Sequence, residues 1–164
     1  MSTKTVHTTP FGSREYRNAC GRFATGITII TVEVDGEVHG MTANGFMSVS
    51  LEPPLLMVSV GHKTNMHKLL QKSDRYAVSF LTVDHEKWSS HFAGWKQDDL
   101  DVSFERLAGQ PVVPGAMAQF ATELDAQHEA GDHTLYIGRV TDFTYDYQEP
   151  LLFYTGKYKK LQEE

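Results

Sequence analysis

The apolar positions of this chain switch from helical to strand spacing after residue 26. Tyr16, Ala19, Cys20 and Phe23 recur three and four apart, one face of a helix. Ser13 caps that helix, it extends to about Ala24, and Gly26 ends it. Ile27 to Val34 is β-branched and reads as a strand, and Asp35-Gly36 is a tight-hairpin pair. A second strand starts at Val38, interrupted by Gly40 and Gly45. Pro53-Pro54 breaks the chain, and the nearly all-apolar Leu55 to Val60 reads as a strand buried on both faces. Thr64 or Asn65 caps a short helix through Leu70 and Gln71, and Ser73-Asp74 turns the chain into a buried strand from Tyr76 to Leu81. Asp84 caps another short helix, with Glu86 in its first turn. Gly94 to Val102 is loop-like. Met117 to Gln127 and Thr134 to Tyr147 form two long strands around Ala130-Gly131-Asp132, and Leu151 to Tyr154 is a last short one. The order is hairpin-like, with no β-α-β alternation. It predicts a mainly β protein, an antiparallel barrel decorated by a few short helices.

Composition narrows the function classes. At 164 residues the chain suits one domain, read as 13–164 behind a flexible polar N-terminal arm over 1–12. Lys and Arg total 15 against 21 Asp and Glu, a net charge of −6. Phosphate neutralisation needs clustered cations, so nucleic acid and anionic membrane surfaces are poor partners. No apolar run approaches the ~18 residues of a membrane span. Met1 to Arg14 lacks the apolar core of a leader peptide. Cys20, the only cysteine, makes no intramolecular disulfide and no zinc cluster, which suits the cytoplasm.

Common catalytic motifs are missing. No G-x-G-x-x-G follows a strand, and there is no Walker A loop, H-E-x-x-H or G-x-S-x-G. The eight histidines show no ligand spacing, so no metal is expected and most read as surface imidazoles. Four segments carry candidate chemistry. Met41 to Ser50 is strand-like yet rich in small and hydroxylated residues. There Ala43 and Gly45 permit close approach, and Thr42, Asn44, Ser48 and Ser50 place donors and acceptors at alternating positions, suited to a flat heterocycle. A solvent-facing strand with a bulge at Gly45 gives the same pattern. Ser59 to Asn65 leads into a helix start, where Lys63 and Thr64 suit an anion or simply a capped turn. His133, in Gly131-Asp132-His133-Thr134, can donate a hydrogen bond to a ligand or stand exposed. Phe92 covers a ligand or joins the core, and Gly156-Lys157-Tyr158 meets a phosphate or only flanks the C-terminus.

Together these segments resemble the short-chain flavin reductase family, the reductase components of two-component flavin-dependent monooxygenases. The likeness extends to the reductases that serve phenol and 4-hydroxyphenylacetate hydroxylases. The matching stretches are Phe23 to Ile30, His39 to Asn44, Ser48 to Pro54, Phe92-Ala93-Gly94, Gly131 to Leu135, Gly138-Arg139-Val140 and Pro150 to Phe153. Several in order and spacing make a specific signal. The resemblance implies an FMN-binding split barrel, Greek-key-like and usually a homodimer. It implies an NAD(P)H:flavin oxidoreductase that reduces FMN or FAD with NADH (or NADPH) and passes reduced flavin to a separate oxygenase. It implies that the segment with Thr42, Ala43, Asn44, Gly45, Ser48, Val49 and Ser50 holds the isoalloxazine and ribityl chain. Ser59, Val60, Lys63, Thr64 and Asn65 then lie near the flavin phosphate, and Phe92 borders the cofactor. His133 positions the nicotinamide, with Tyr154 and Lys157 on the same side. Lys157 stands where an arginine is common, and Gly45 where serine or alanine is common. Rival readings are a non-catalytic flavin or haem binder on the same barrel and a pyridoxine-phosphate oxidase-like enzyme.

Overall fold

A computed structural model describes residues 10–162. Of the arm expected over residues 1–12, only residues 10–12 fall within the described part. The first half of the chain forms α1 (Ser13–Cys20), β1 (Thr25–Gly26), β2 (Thr28–Val34), β3 (Glu37–Ala43), β4 (Phe46–Leu51), β5 (Pro54–Gly61), α2 (Asn65–Leu70) and β6 (Arg75–Phe80). The second half adds α3 (Glu86–Phe92), β7 (Glu105–Leu107), β8 (Gln110–Val112), β9 (Ala118–Ala130), β10 (His133–Tyr145), β11 (Leu152–Tyr154) and β12 (Lys157–Lys159).

Seven strands form one sheet in the order β3-β2-β6-β9-β10-β5-β4, every pair antiparallel. β3 and β4 are neighbours in sequence yet lie at opposite edges of that order, so the sheet curls until its edges meet at Asn44-Gly45. At this seam the Ser59 amide donates to the Gly45 carbonyl at 2.8 Å, and the Phe46 ring meets Phe80 of β6 edge-on at 4.8 Å. This is the antiparallel barrel expected. The β2–β3 turn is also as expected: Asp35 and Gly36 both take positive φ, 56° and 80°.

The β-branched run of β2 is explained by two cores. Successive strand residues face opposite sides. Ile30 and Val32 enter the barrel cluster with Val58, Val60, Tyr76, Val78 and Tyr136. Ile27 and Ile29 enter an outer cluster with Leu81, Trp88, Val113 and Leu151, roofed by α3. Ile29 and Ile30 are fully buried, each contributing about 1.5–3 kcal/mol by leaving water.

Several local expectations are corrected. β5 is buried on one face only: Leu56, Val58 and Val60 are covered, whereas Met57 and Ser59 are half-exposed. α1 ends at Cys20, with the Gly21 amide donating to the Arg17 carbonyl at 2.9 Å. Gly12, not Ser13, takes the cap position, and its amide donates to the Glu15 carboxylate at 3.1 Å. Phe23 lies beyond that helix and is 79% exposed. Asp84 sits inside a 3-10 turn, Val83–His85, whose cap is Thr82. His85 is a buried core histidine. Its Nδ1 accepts the Thr82 amide at 3.1 Å, leaving Nε2–H to donate to the Pro114 carbonyl at 3.0 Å. β1, β12 and the β7–β8 hairpin were not anticipated, because two or three residues are too few to show a period.

Candidate active site

The segment from Thr42 to Ser50 is not the single strand expected. It is split between the two sheet edges, and Val49 is an extra residue in β4, opposed by nothing between Ser48↔Leu56 and Ser50↔Leu55. The regular alternation of Thr42, Asn44, Ser48 and Ser50 is therefore lost. Gly45 also plays a different part. A Cβ there would meet the Ser59 side chain at 3.2 Å, so the close approach is that of β5, the strand paired with β4.

The upper half of the segment does line a cavity. Thr42, Ala43 and Asn44 border a space of about 580 Å³ with Glu86, Ser89, Trp95, Phe153, Lys157 and Tyr158. The Thr42 hydroxyl donates to the Ser89 carbonyl at 2.7 Å, tying β3 to α3. The Ala43 carbonyl accepts from the Thr28 hydroxyl at 2.8 Å. Both are thus held as walls, while Asn44 is exposed and lines this space and two neighbouring ones. One neighbour, about 650 Å³, is bordered by Arg17, Cys20, Arg22, Thr25 and again by Phe153 and Gly156. Cys20, at the end of α1, therefore adjoins the Asn44 cavity system. The Thr25 hydroxyl in this wall is buried with no hydrogen-bond partner.

A second group gathers where β5 runs into α2. Thr64 is the α2 cap, as expected. Its hydroxyl donates to the Gly61 carbonyl at 2.8 Å and accepts the His67 amide at 3.2 Å. That leaves the exposed Lys63 and Asn65 as the outward-facing groups of this corner. The Val60 side chain is buried in the barrel core, so only its backbone belongs to this surface. Ser59 is half-buried beside Gly45, linking the corner to the seam. His133 begins β10, opposite Gly61. Its Nδ1 lies 2.7 Å from the Asp132 carboxylate, which this hydrogen bond and the adjacent imidazole charge hold below the usual range.

Other expected residues stand apart. Ser48 and Val49 are exposed on edge strand β4, with Ser50 half-buried beside them. Phe92 packs between Trp88 at 5.8 Å and Phe104 at 5.9 Å in the outer cluster. Tyr154 pairs with Lys157 across β11–β12 and is 38% exposed. Lys157 shares its cavity with Asn44 and not with His133. Trp95, Glu86 and the Arg17–Arg22 pair were missed, since loop position and surface charge carry no periodic signal. No group of His, Cys, Asp or Glu suited to a metal occurs among the described residues, and none of their helices is long and apolar enough to cross a membrane.

The model of the flavin reductase like domain matches residues 20–162. An NADH-dependent flavin reductase of Rhodococcus sp is 44% identical over 149 residues, covering 89% of this chain and 85% of that protein. The reductase component of 4-hydroxyphenylacetate 3-monooxygenase from Thermus thermophilus is 32% identical over 147 residues, covering 89% of this chain and 95% of its own length. The solved structure of flavin reductase PheA2 in its native state superposes with a TM-score of 0.90 at 50% identity, over 93% of this chain and 100% of that one.

Proposed function

This chain belongs to the flavin reductase like domain family, and we propose that it is an NADH-dependent reductase of FMN or FAD. The reduced flavin serves a separate, aromatic-hydroxylating monooxygenase. One observation carries the reading: a relative named for that activity matches 89% of the chain at 44% identity.

The residues around Asn44 fit a flavin. Its amide offers both a donor and an acceptor, the pairing a pyrimidine edge needs. Trp95, Phe153 and Tyr158 supply aromatic faces, and Lys157 supplies a point charge for an anionic tail. The orphaned Thr25 hydroxyl marks a wall with hydrogen-bonding capacity left over. Lys63 and Asn65 present a further polar surface beyond the seam. A bound flavin supplies the chemistry here as the hydride acceptor.

The chain's own work is to hold, orient and exclude. Thr42 fixes α3 against β3, which sets the depth of the cavity. His133, held through Nδ1 by Asp132, lies exposed at the start of β10 as a contact for the nicotinamide nucleotide. No strong protein acid is needed, since hydride transfer depends on stacking and spacing. With a net charge of −6, anionic ligands rely on the local cations.

Two further parts of the reading concern assembly and place. The protein acts as a homodimer in the cytoplasm. The dimer is supported by α1, which buries none of its residues in this chain, and by the exposed Tyr16, Phe23, Phe143, Tyr145 and Tyr147. A sedimentation mass that stays at the 18.5 kDa of one chain at micromolar concentration refutes it.

The decisive assay follows NADH and NADPH absorbance with protein and either FMN or FAD. Flavin-dependent loss of NADH is expected. Flavin binding without NADH loss supports a non-catalytic binder instead. His133→Ala raises KM for NADH far more than it weakens flavin binding, and unchanged NADH kinetics removes His133 from the site.

A further inference from the structure

We propose that His62 is a positioning residue for His133, holding the Gly131–Thr134 turn in the place where the His133 ring is used. This rests on the reading that His133 contacts the nicotinamide nucleotide. His62 carries no motif of its own, and sequence reasoning leaves it a surface imidazole.

The turn joins two 13-residue strands, and Gly131, Asp132 and His133 are all exposed at its tip. Behind the tip, β10 pairs with β5 from His133↔Gly61 and Thr134↔Val60 onward. The β5–α2 corner restrains the tip from the side by three contacts. The His62 amide donates to the Asp132 carbonyl at 3.0 Å. His62 Nε2 lies 3.0 Å from the Thr134 hydroxyl, which is only 2% exposed. Gly61 lies beneath the His133 ring, close enough that a Cβ on it would sit 3.5 Å from Nε2. His62 thus bonds the residue before His133 and the residue after it.

The restraint is anchored in turn. The His62 ring packs against His67 of α2, with centroids 4.9 Å apart. His67 Nδ1 lies 2.8 Å from the Tyr136 hydroxyl, which also accepts Gln71 Nε2–H at 2.8 Å. Tyr136 belongs to β10, two residues past Thr134. The ring of contacts from Thr134 through His62 and His67 to Tyr136 closes on the strand that carries His133.

A residue acting through another predicts a specific pattern. His62→Ala raises KM for NADH by about tenfold, with kcat and the flavin dissociation constant within about twofold of wild type. His62→Gln, whose amide reaches about as far as Nε2, recovers most of that loss. Thr134→Val removes the same hydrogen bond from a buried isostere and gives the same KM change, so the proposal survives a His62→Ala protein that fails to fold. The double variant His62→Ala/His133→Ala has the KM of His133→Ala alone, because the effect passes through that ring. If His133→Ala leaves NADH kinetics unchanged, the underlying reading fails. If His133→Ala raises KM while His62→Ala and Thr134→Val do not, or if the two losses multiply in the double variant, the role of His62 is overturned and the role of His133 stands.

Discussion

Gly40 of β3 lies directly beneath the Phe92 ring of α3. A Cβ on Gly40 would sit 2.7 Å from both Cδ1 and Cε1 of Phe92 and 3.2 Å from Cζ. Carbon atoms in ordinary contact are ~3.5–4.0 Å apart, so the ring must retreat by about 1 Å. Trp88 and Phe104 stand against it at 5.8 and 5.9 Å, which leaves little room. Overpacking of this kind costs ~1–3 kcal/mol, and three ring atoms below contact distance put Gly40→Ala in the upper half of that range. Restricting the unfolded chain returns ~0.4–1 kcal/mol. The net loss is about 1–2.5 kcal/mol, or a fall in Tm of about 2–10 °C for a chain of this size. Thermal unfolding measures it directly, in the native background and with Phe92→Leu. The smaller side chain relieves the contact, so the added cost of Gly40→Ala falls below about 0.5 kcal/mol in the second background. An equal drop in both backgrounds, or a Tm within about 1 °C of wild type, refutes the argument. The result bears on function because α3 carries Glu86 and Ser89 into the wall of the Asn44 cavity.

Two other perturbations test separate parts of the structure. Leu56, 3% exposed in the barrel cluster, is the covered face of β5; Leu56→Ala costs about 2–5 kcal/mol and lowers the urea midpoint without changing the slope. Asp132 has its carboxyl held low by the His133 hydrogen bond, so its contribution is present above the ordinary carboxylate pKa and is lost as pH falls through the lowered value. Wild type is therefore the more stable of the pair against Asp132→Asn at neutral pH, and the gap closes on acidification below about pH 4; a gap that persists in acid contradicts the linkage.

Where a local signal was strong, the chain read correctly. Asp35-Gly36 encodes its own turn through two positive φ values. The long strands around Gly131 and the Thr64 cap of α2 were equally legible, since each depends on residues within a few positions of one another. The errors fall where a partner distant in sequence decides. β5 looked doubly buried because its residues are apolar, yet only one of its faces meets the barrel interior. His85 looked like one of eight unremarkable histidines, and it is buried because Thr82 and Pro114 occupy both of its nitrogens. Phe92 was open to either reading, and the structure packs it with Trp88 and Phe104.

The candidate site divides in the same way. Thr42, Ala43, Asn44, Ser59, Lys63, Thr64, Asn65 and His133 were all visible as residues of suitable chemistry. The sequence could not show that the Asn44-Gly45 step joins opposite edges of the sheet, which places Ser59 against Gly45 and strands Ser48 and Val49 on the exposed β4. Nor could it show Lys157 beside Asn44, Cys20 beside the same cavity system, or His62 bonded to both neighbours of His133.

By itself, then, the sequence determined the class of fold, the turns, most of the main strands and the family resemblance, because propensity, capping and motif spacing are written in short stretches of chain. Tertiary structure alone decided which of those residues share a wall, which hydroxyls are committed to holding that wall, and which histidine bonds both chain neighbours of another. Those outcomes depend on closing a seven-stranded sheet on itself, and closure brings together residues whose separation along the chain contains no trace of the contact.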